Sequence, residues 1–264
     1  MEIIIAYTGA FLIGLILGLM GGGGSILTVP LLVYIMGVNP VTATAYSLFT
    51  VGTTSAFGSF QNYYKKNIAI KTGFIIAVPS FIVVYITRRY ILPYIPEKII
   101  GTEVYTLSKD TFIMMLFGVI MLMASVSMLT QKTTCDNDEP KKINYLYALP
   151  GVAVVGLFMG LVGAGGGFLI IPMLVFFGGL TMKKAVGTSL FIIAINSLTG
   201  FAGDMQTINI QWDFLLSFTV ISVFGIFAGN YLHTYVNEKQ LKRGFGWFVL
   251  IMAAFILSKE IIGF

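Results

Sequence analysis

Apolar runs separated by short polar breaks fill this chain. Ten can be marked: 3–20, 26–37, 42–60, 71–87 and 111–129 in the first half, then 145–162, 168–179, 185–201, 214–232 and 245–262 in the second. A helix rises 1.5 Å per residue, and about 20 apolar residues cross the core of a bilayer. Runs 26–37 and 168–179 hold only 12 residues each, so each reaches about 18 Å and is predicted to be a half-helix. The pattern predicts an all-α membrane protein, a helical bundle in which two short helices each follow a cluster of glycines.

The pattern is also written twice. Residues 14–61 and 156–203 align without a gap at an offset of 142 (156 − 14), and 18 of the 48 pairs are identical. The identities include Gly18/Gly160, Gly23/Gly165, Gly24/Gly166, Pro30/Pro172, Ser47/Ser189 and Ser55/Ser197. Three regions follow: a first transmembrane repeat over 1–130, a polar cytoplasmic linker over 131–144 and a second repeat over 145–264. Five runs per repeat is an odd number, so the second copy is expected to be inverted in the membrane. Paired interrupted helices at matching places in two halves point to the binding site of a secondary transporter.

Composition agrees with the bilayer as solvent. Of 264 residues 57% are hydrophobic and 10% charged, against about 25% charged in a soluble domain. The net charge of +5 is scattered between the runs, which suits orienting loops and gives no surface for nucleic acid. With Lys65 and Lys66 on the cytoplasmic side, Lys132, Lys141, Lys142, Lys183, Lys184, Lys239, Lys242 and Arg243 fall there too, and both termini fall outside. Arg88, Arg89 and Lys98 do not fit this assignment. The N-terminus opens with Glu2 instead of a basic segment, so the first run is expected to be a retained helix. One cysteine, Cys135, and one histidine leave too few parts for a disulfide, a zinc site or a cysteine–histidine dyad. No catalytic residues, metal or cofactor are expected.

The candidate chemistry lies in the glycine clusters, Gly22, Gly23, Gly24 and Ser25 in one copy and Ala164, Gly165, Gly166 and Gly167 in the other. Consecutive glycines unwind a helix and leave N–H groups that hydrocarbon cannot satisfy, at several kcal/mol each. A bound anion satisfies them, and the short helices that follow aim their positive ends at it. Helix packing is the competing reading, preferred for Gly14, Gly18, Gly156 and Gly160 with their small-xxx-small spacing. The third run of each half supplies a second wall: Ser47, Thr50 and Thr54 on one face of one copy, Ser189 and Asn196 on the other. For any single serine or threonine, a bond to its own helix is the simpler explanation. Asn196 needs more partners than its own helix provides.

No Lys, Arg, Asp or Glu is placed mid-span by this reading, which argues against a charge relay. Asp204, Gln61 and His233 are expected as interfacial residues. Neutral donors suit a carrier, which must release what it binds.

The doubled pattern Gly14, Gly18, Gly21, Gly23, Gly24, Ser25, Pro30 and Gly156, Gly160, Gly163, Gly165, Gly166, Gly167, Pro172, followed by a serine- and threonine-rich helix, resembles the sulfite exporter TauE/SafE family. That resemblance implies a secondary carrier of a small inorganic or organic sulfur anion, such as sulfite, thiosulfate or a short organosulfonate, across the inner membrane by alternating access. An anion channel or a non-transporting assembly subunit are the other readings, and assembly as a homo-oligomer stays open. Ala164 departs from the glycine of the first copy, so the two half-sites are not chemically identical.

Overall fold

The computed structural model describes residues 2–22, 24–101, 106–130, 145–163, 170–171, 173–174, 179–232, 235 and 238–262. Gly23, the 131–144 linker, residues 164–169, Pro172 and His233 lie outside the described residues, as does most of run 168–179.

Helix α1 spans Glu2–Met20 and stops at the glycine cluster. Helix α2 restarts at Ser25, runs to Pro30 and continues as a wider π-type turn over Leu31–Ile35. Pro30 has no N–H to give, and the bonds beyond it lengthen in register, with the Met36 N–H donating to the Leu31 carbonyl at 3.3 Å. Helix α3 spans Pro40–Tyr64, capped by Asn39, whose side chain accepts from the Val41 N–H at 3.0 Å. Helix α4 covers Ile70–Ile86 and passes through a second π-type turn, Thr87–Ile91, into the short α5, Leu92–Tyr94. The connection that follows contains a short two-stranded antiparallel ribbon, β1 Lys98–Gly101 with β2 Thr106–Ser108, in an otherwise helical architecture. Helices α6 Lys109–Thr130, α7 Tyr145–Val162, α8 Met182–Asp204, α9 Trp212–Leu232 and α10 Glu238–Ile262 complete the bundle.

Helices α3 and α8 pack on each other at the centre. Helix α9 packs on α3 and α1, while α4 packs on α8 and α7. The core around them includes Leu48, Val51, Leu190, Ile193, Phe218 and Ile226. Helices α6 and α10 form a separate layer through Met114, Phe117, Met121, Val249 and Ile256, which also covers Ile26 and Val29 of α2.

Among the described residues four helical segments are long and apolar enough to cross a membrane: Ile70–Tyr94, Lys109–Ser127, Lys183–Asp204 and Trp212–Leu232. Their outward faces carry large apolar side chains such as Phe74, Val78, Met123, Val220 and Phe224. A surface of that kind is stable only in lipid. Exposed Tyr63, Tyr64, Tyr94, Trp212 and Tyr231 stand at helix ends, where amphipathic rings favour the headgroup layer. The chain is a multi-pass membrane protein.

Candidate functional site

Left-handed backbone occurs at matching glycines. Gly21 and Gly163 both have φ of +68°, and Gly37 and Gly179 have +64° and +57°. Each pair is separated by 142 residues (163 − 21 and 179 − 37). Only glycine adopts this conformation without strain, so the turns explain four of the chain's glycines.

The contacts at these glycines exchange halves. A Cβ built on Gly21 would stand 2.5 Å from Val186 of α8, and one on Gly163 would overlap Thr44 of α3. Thr44 and Val186 are themselves 142 apart (186 − 44). The same relation holds further out. Gly14 of α1 lies against the Ser222 carbonyl of α9, and Gly156 of α7 against the Ser80 carbonyl of α4. Gly18 faces Ile226, Gly229 and Asn230, while Gly160 faces Thr87. At Gly14, Gly18 and Gly156 the missing side chain lets two helices approach backbone to backbone, and at Gly160 it makes room for the Thr87 side chain.

Gly21, Gly22 and Gly24 are buried. Gly24 is filled from behind: a Cβ there would stand 2.5 Å from the Ile13 carbonyl and 2.7 Å from the Leu17 nitrogen. The Ser25 hydroxyl is turned into its own backbone, donating to the Gly22 carbonyl at 2.7 Å. Its proton is therefore committed locally, which weakens its role as a donor to a ligand. Ala164, Gly165, Gly166 and Gly167 lie outside the described residues, as does Gly23.

On α3 and α8 the predicted side chains divide. Ser189 donates to the Gly21 carbonyl at 2.5 Å, joining α8 to the first glycine turn. Its counterpart Ser47 is fully buried with no partner for its hydroxyl among the described residues, as are Ser55 and Ser197, an identical pair on the same two helices. Thr50 and Thr54 face α9: Thr50 is 3.1 Å from the Thr219 hydroxyl and Thr54 donates to Ser222 at 3.2 Å. Asn196 donates to Ser80 of α4 at 2.8 Å and meets the Met159 sulfur of α7 at 3.7 Å. It thus ties three helices together, as an amide in an apolar interior must.

Two charged residues that the pattern left to loops and interfaces are paired within the bundle, at the end of the span that closes on Asp204. Charged residues do stand inside the bundle: Arg88 is 0% and Asp204 3% exposed, and Arg88 Nη1 donates to Asp204 Oδ2 at 3.0 Å. The same nitrogen donates to Thr44 Oγ1 at 3.0 Å. Arg88 misfits the topology rule because it is a buried ion-pair partner and not a loop charge, and Asp204, the last residue of α8, is buried against it. The apolar run ends at Thr87, so the pattern placed Arg88 in a loop. The helix instead continues through the π-type turn and carries Arg88 inward. The available signal was the misfit itself, together with an acidic residue closing the other central helix. The Arg88 Nε and Nη2, the Thr87 hydroxyl and the Ser47 hydroxyl are all buried without partners among the described residues. Nη2 lies so close to Gly163 that a Cβ there would overlap it.

A lipid-facing bundle with glycine turns at both ends of its central helix pair and buried unpaired polar groups between them is the construction of a membrane transport protein. The chain belongs to the sulfite exporter TauE/SafE family, whose profile matches residues 6–256. A probable membrane transporter protein of Xylella fastidiosa (strain Temecula1 / ATCC 700964) is 28% identical over 261 residues, covering 94% of this chain and 92% of the relative. The probable membrane transporter protein YunE of Bacillus subtilis (strain 168) is 27% identical over 263 residues, covering 88% and 90%. A probable membrane transporter protein of Methanocaldococcus jannaschii, MJ0441, is 34% identical over 129 residues, covering 45% and 48%. No solved structure matches this chain. The family is one of membrane transporters, not enzymes.

Proposed function

We propose that this protein is a secondary carrier for a small sulfur oxyanion or short organosulfonate, resident in the inner membrane and working by alternating access between two inverted repeats. The observation that carries this reading is the exchange of contacts, with Gly21 seated on Val186 and Gly163 on Thr44. Each glycine turn of one half rests on the third helix of the other half. Two such crossed seats are what an inverted repeat needs if one half is to rock against the other about a central site. The residues proposed to hold the anion form two half-sites at opposite ends of the antiparallel α3–α8 pair: the cluster at 22–24 with Ser189, which bonds Gly21, and the cluster at 164–167 with Ser47, one turn from the Thr44 seat of Gly163. Thr50, Thr54 and Asn196 sit further back, holding α3 and α8 in register with their neighbours through the bonds described above. Ser25 contributes through its backbone, its hydroxyl being committed to Gly22. The short helix Ser25–Ile35 adds its positive end from the first repeat. The sulfur chemistry rests on the family's description, and the anionic class on the buried donors.

Thiol accessibility separates a carrier from a channel. With Cys135 replaced by serine, Ser47→Cys and Ser189→Cys are labelled in oriented vesicles with a membrane-impermeant reagent added on either side. A carrier exposes the two positions to opposite faces, and saturating sulfite shifts their labelling rates in opposite directions. Simultaneous labelling of both from one face indicates a continuous pore and contradicts alternating access.

A further inference from the structure

The Arg88–Asp204 pair breaks the correspondence between the two halves. Residue 230 stands 142 positions after Arg88 and is an asparagine; its amide donates to the Gln61 carbonyl oxygen. Asn62, next to Gln61, occupies the position that corresponds to Asp204 (204 − 142). One half therefore holds a neutral amide pair, one residue out of register, beside the position where the other holds an ion pair. A purely structural clamp between α4 and α8 needs no charge, since the amide pair does the equivalent work between α9 and α3. Burying a guanidinium is costly even when it is paired. The cost is greater when two of its nitrogens have no acceptor, as Nε and Nη2 do here.

The edge left free has a specific shape. Nη1, the nitrogen on the other side of the guanidinium, is the one engaged by Asp204 and Thr44. Nε and Nη2 share the opposite edge and present two near-parallel N–H bonds, the fork that arginine uses to grip two oxygens of one oxyanion. This edge lies at Gly163, where the second glycine turn begins, and the unpartnered Thr87 hydroxyl is beside it in sequence. Thr87 packs on Gly160, one turn before Gly163, so both groups face the same end of α7. The unpartnered Ser47 follows Thr44 by one turn on α3.

We infer that Arg88 is the charged anchor of the half-site at the Gly163 turn, gripping two oxygens of the substrate through its Nε–Nη2 edge while Asp204 neutralises the guanidinium from the other side. This rests on the transport reading for its physiological role but not for its test. An unpaired arginine in a low-dielectric interior would trap an anion. Asp204 offsets that attraction and leaves a pair that can release its ligand. The fork selects oxyanions with two oxygens on one centre, such as a sulfite or sulfonate, over spherical halides.

The test is equilibrium binding of radiolabelled sulfite to purified full-length protein in detergent, with unlabelled sulfite, thiosulfate and chloride as competitors. Wild type is expected to bind sulfite saturably, with thiosulfate competing and chloride not. Arg88→Lys keeps the charge and loses the fork, and its half-saturation concentration rises at least about tenfold. Should that variant fail to fold, the neutral double variant Arg88→Gln/Asp204→Asn replaces the ion pair by an amide pair like that of the other half. It is expected to elute as folded protein and to show no saturable binding. Sulfite binding to the double variant within about twofold of wild type would overturn the proposal, as would no binding to wild type. Flux measured in parallel keeps the two readings apart: Arg88-dependent binding without exchange sinks the carrier and leaves the anchor standing.

Discussion

Asp204→Asn is expected to be among the most destabilising single substitutions in this protein. It leaves the 0% exposed Arg88 guanidinium with no counter-charge inside the bundle. Removing one member of a buried ion pair costs about 3–5 kcal/mol, because the survivor keeps its desolvation penalty and loses its compensation. A fall in melting temperature of roughly 10 °C should follow in detergent. The double variant Arg88→Gln/Asp204→Asn should recover most of that loss, since no unpaired charge remains. A single variant that melts with wild type would mean that the pair contributes nothing to the fold. A double variant worse than the single would mean that the two residues act independently.

Gly18→Leu is the second large effect. At this crossing α1 and α9 touch backbone to backbone, and a Cβ on Gly18 would stand 2.6 Å from the Ile226 carbonyl oxygen and 2.7 Å from the Asn230 nitrogen. Gly225 and Gly229 make the reciprocal approach to α1 at Phe11 and Leu15. Backbone cannot move aside as a flexible side chain does, so the helices must separate and lose contact along the whole crossing. Overpacking of this kind costs about 1–3 kcal/mol or more. We expect little monodisperse protein from Gly18→Leu on gel filtration. Gly151→Leu on α7, where nothing lies within 4 Å, should elute like wild type. Equal yields for the two would contradict the close crossing. The same geometry limits any use of Gly24→Leu as a probe of the site: its side chain would enter the α1 backbone, so lost transport there would report folding as much as binding.

Much of this architecture was legible in the residues because the bilayer imposes simple rules. Apolar run lengths located the helices to within a few residues, as with 42–60 against Pro40–Tyr64 and 214–232 against Trp212–Leu232. The glycine spacing at 14 and 18 marked the close crossing with α9. What hydropathy could not give was the content of a helix beyond its last apolar residue. Run 71–87 stopped one residue before Arg88, while the helical path continues to Tyr94 and turns that arginine inward. Ser25 illustrates a second limit. A serine beside glycines reads as a ligand donor, but whether its proton goes to a ligand or to a carbonyl three residues back is decided by backbone geometry. The ribbon between Lys98 and Ser108 depends on pairing across a loop, a non-local contact that no periodicity records.

The central claim is that this chain exchanges sulfur oxyanions across a membrane. Counterflow of radiolabelled sulfite in proteoliposomes loaded with unlabelled sulfite, thiosulfate, a short sulfonate or chloride tests it most directly. Saturable uptake driven by internal sulfur anions, and absent with chloride alone, is the expected result. Folded wild-type protein that gives no exchange with any sulfur anion, or that passes chloride just as fast without saturating, would contradict it.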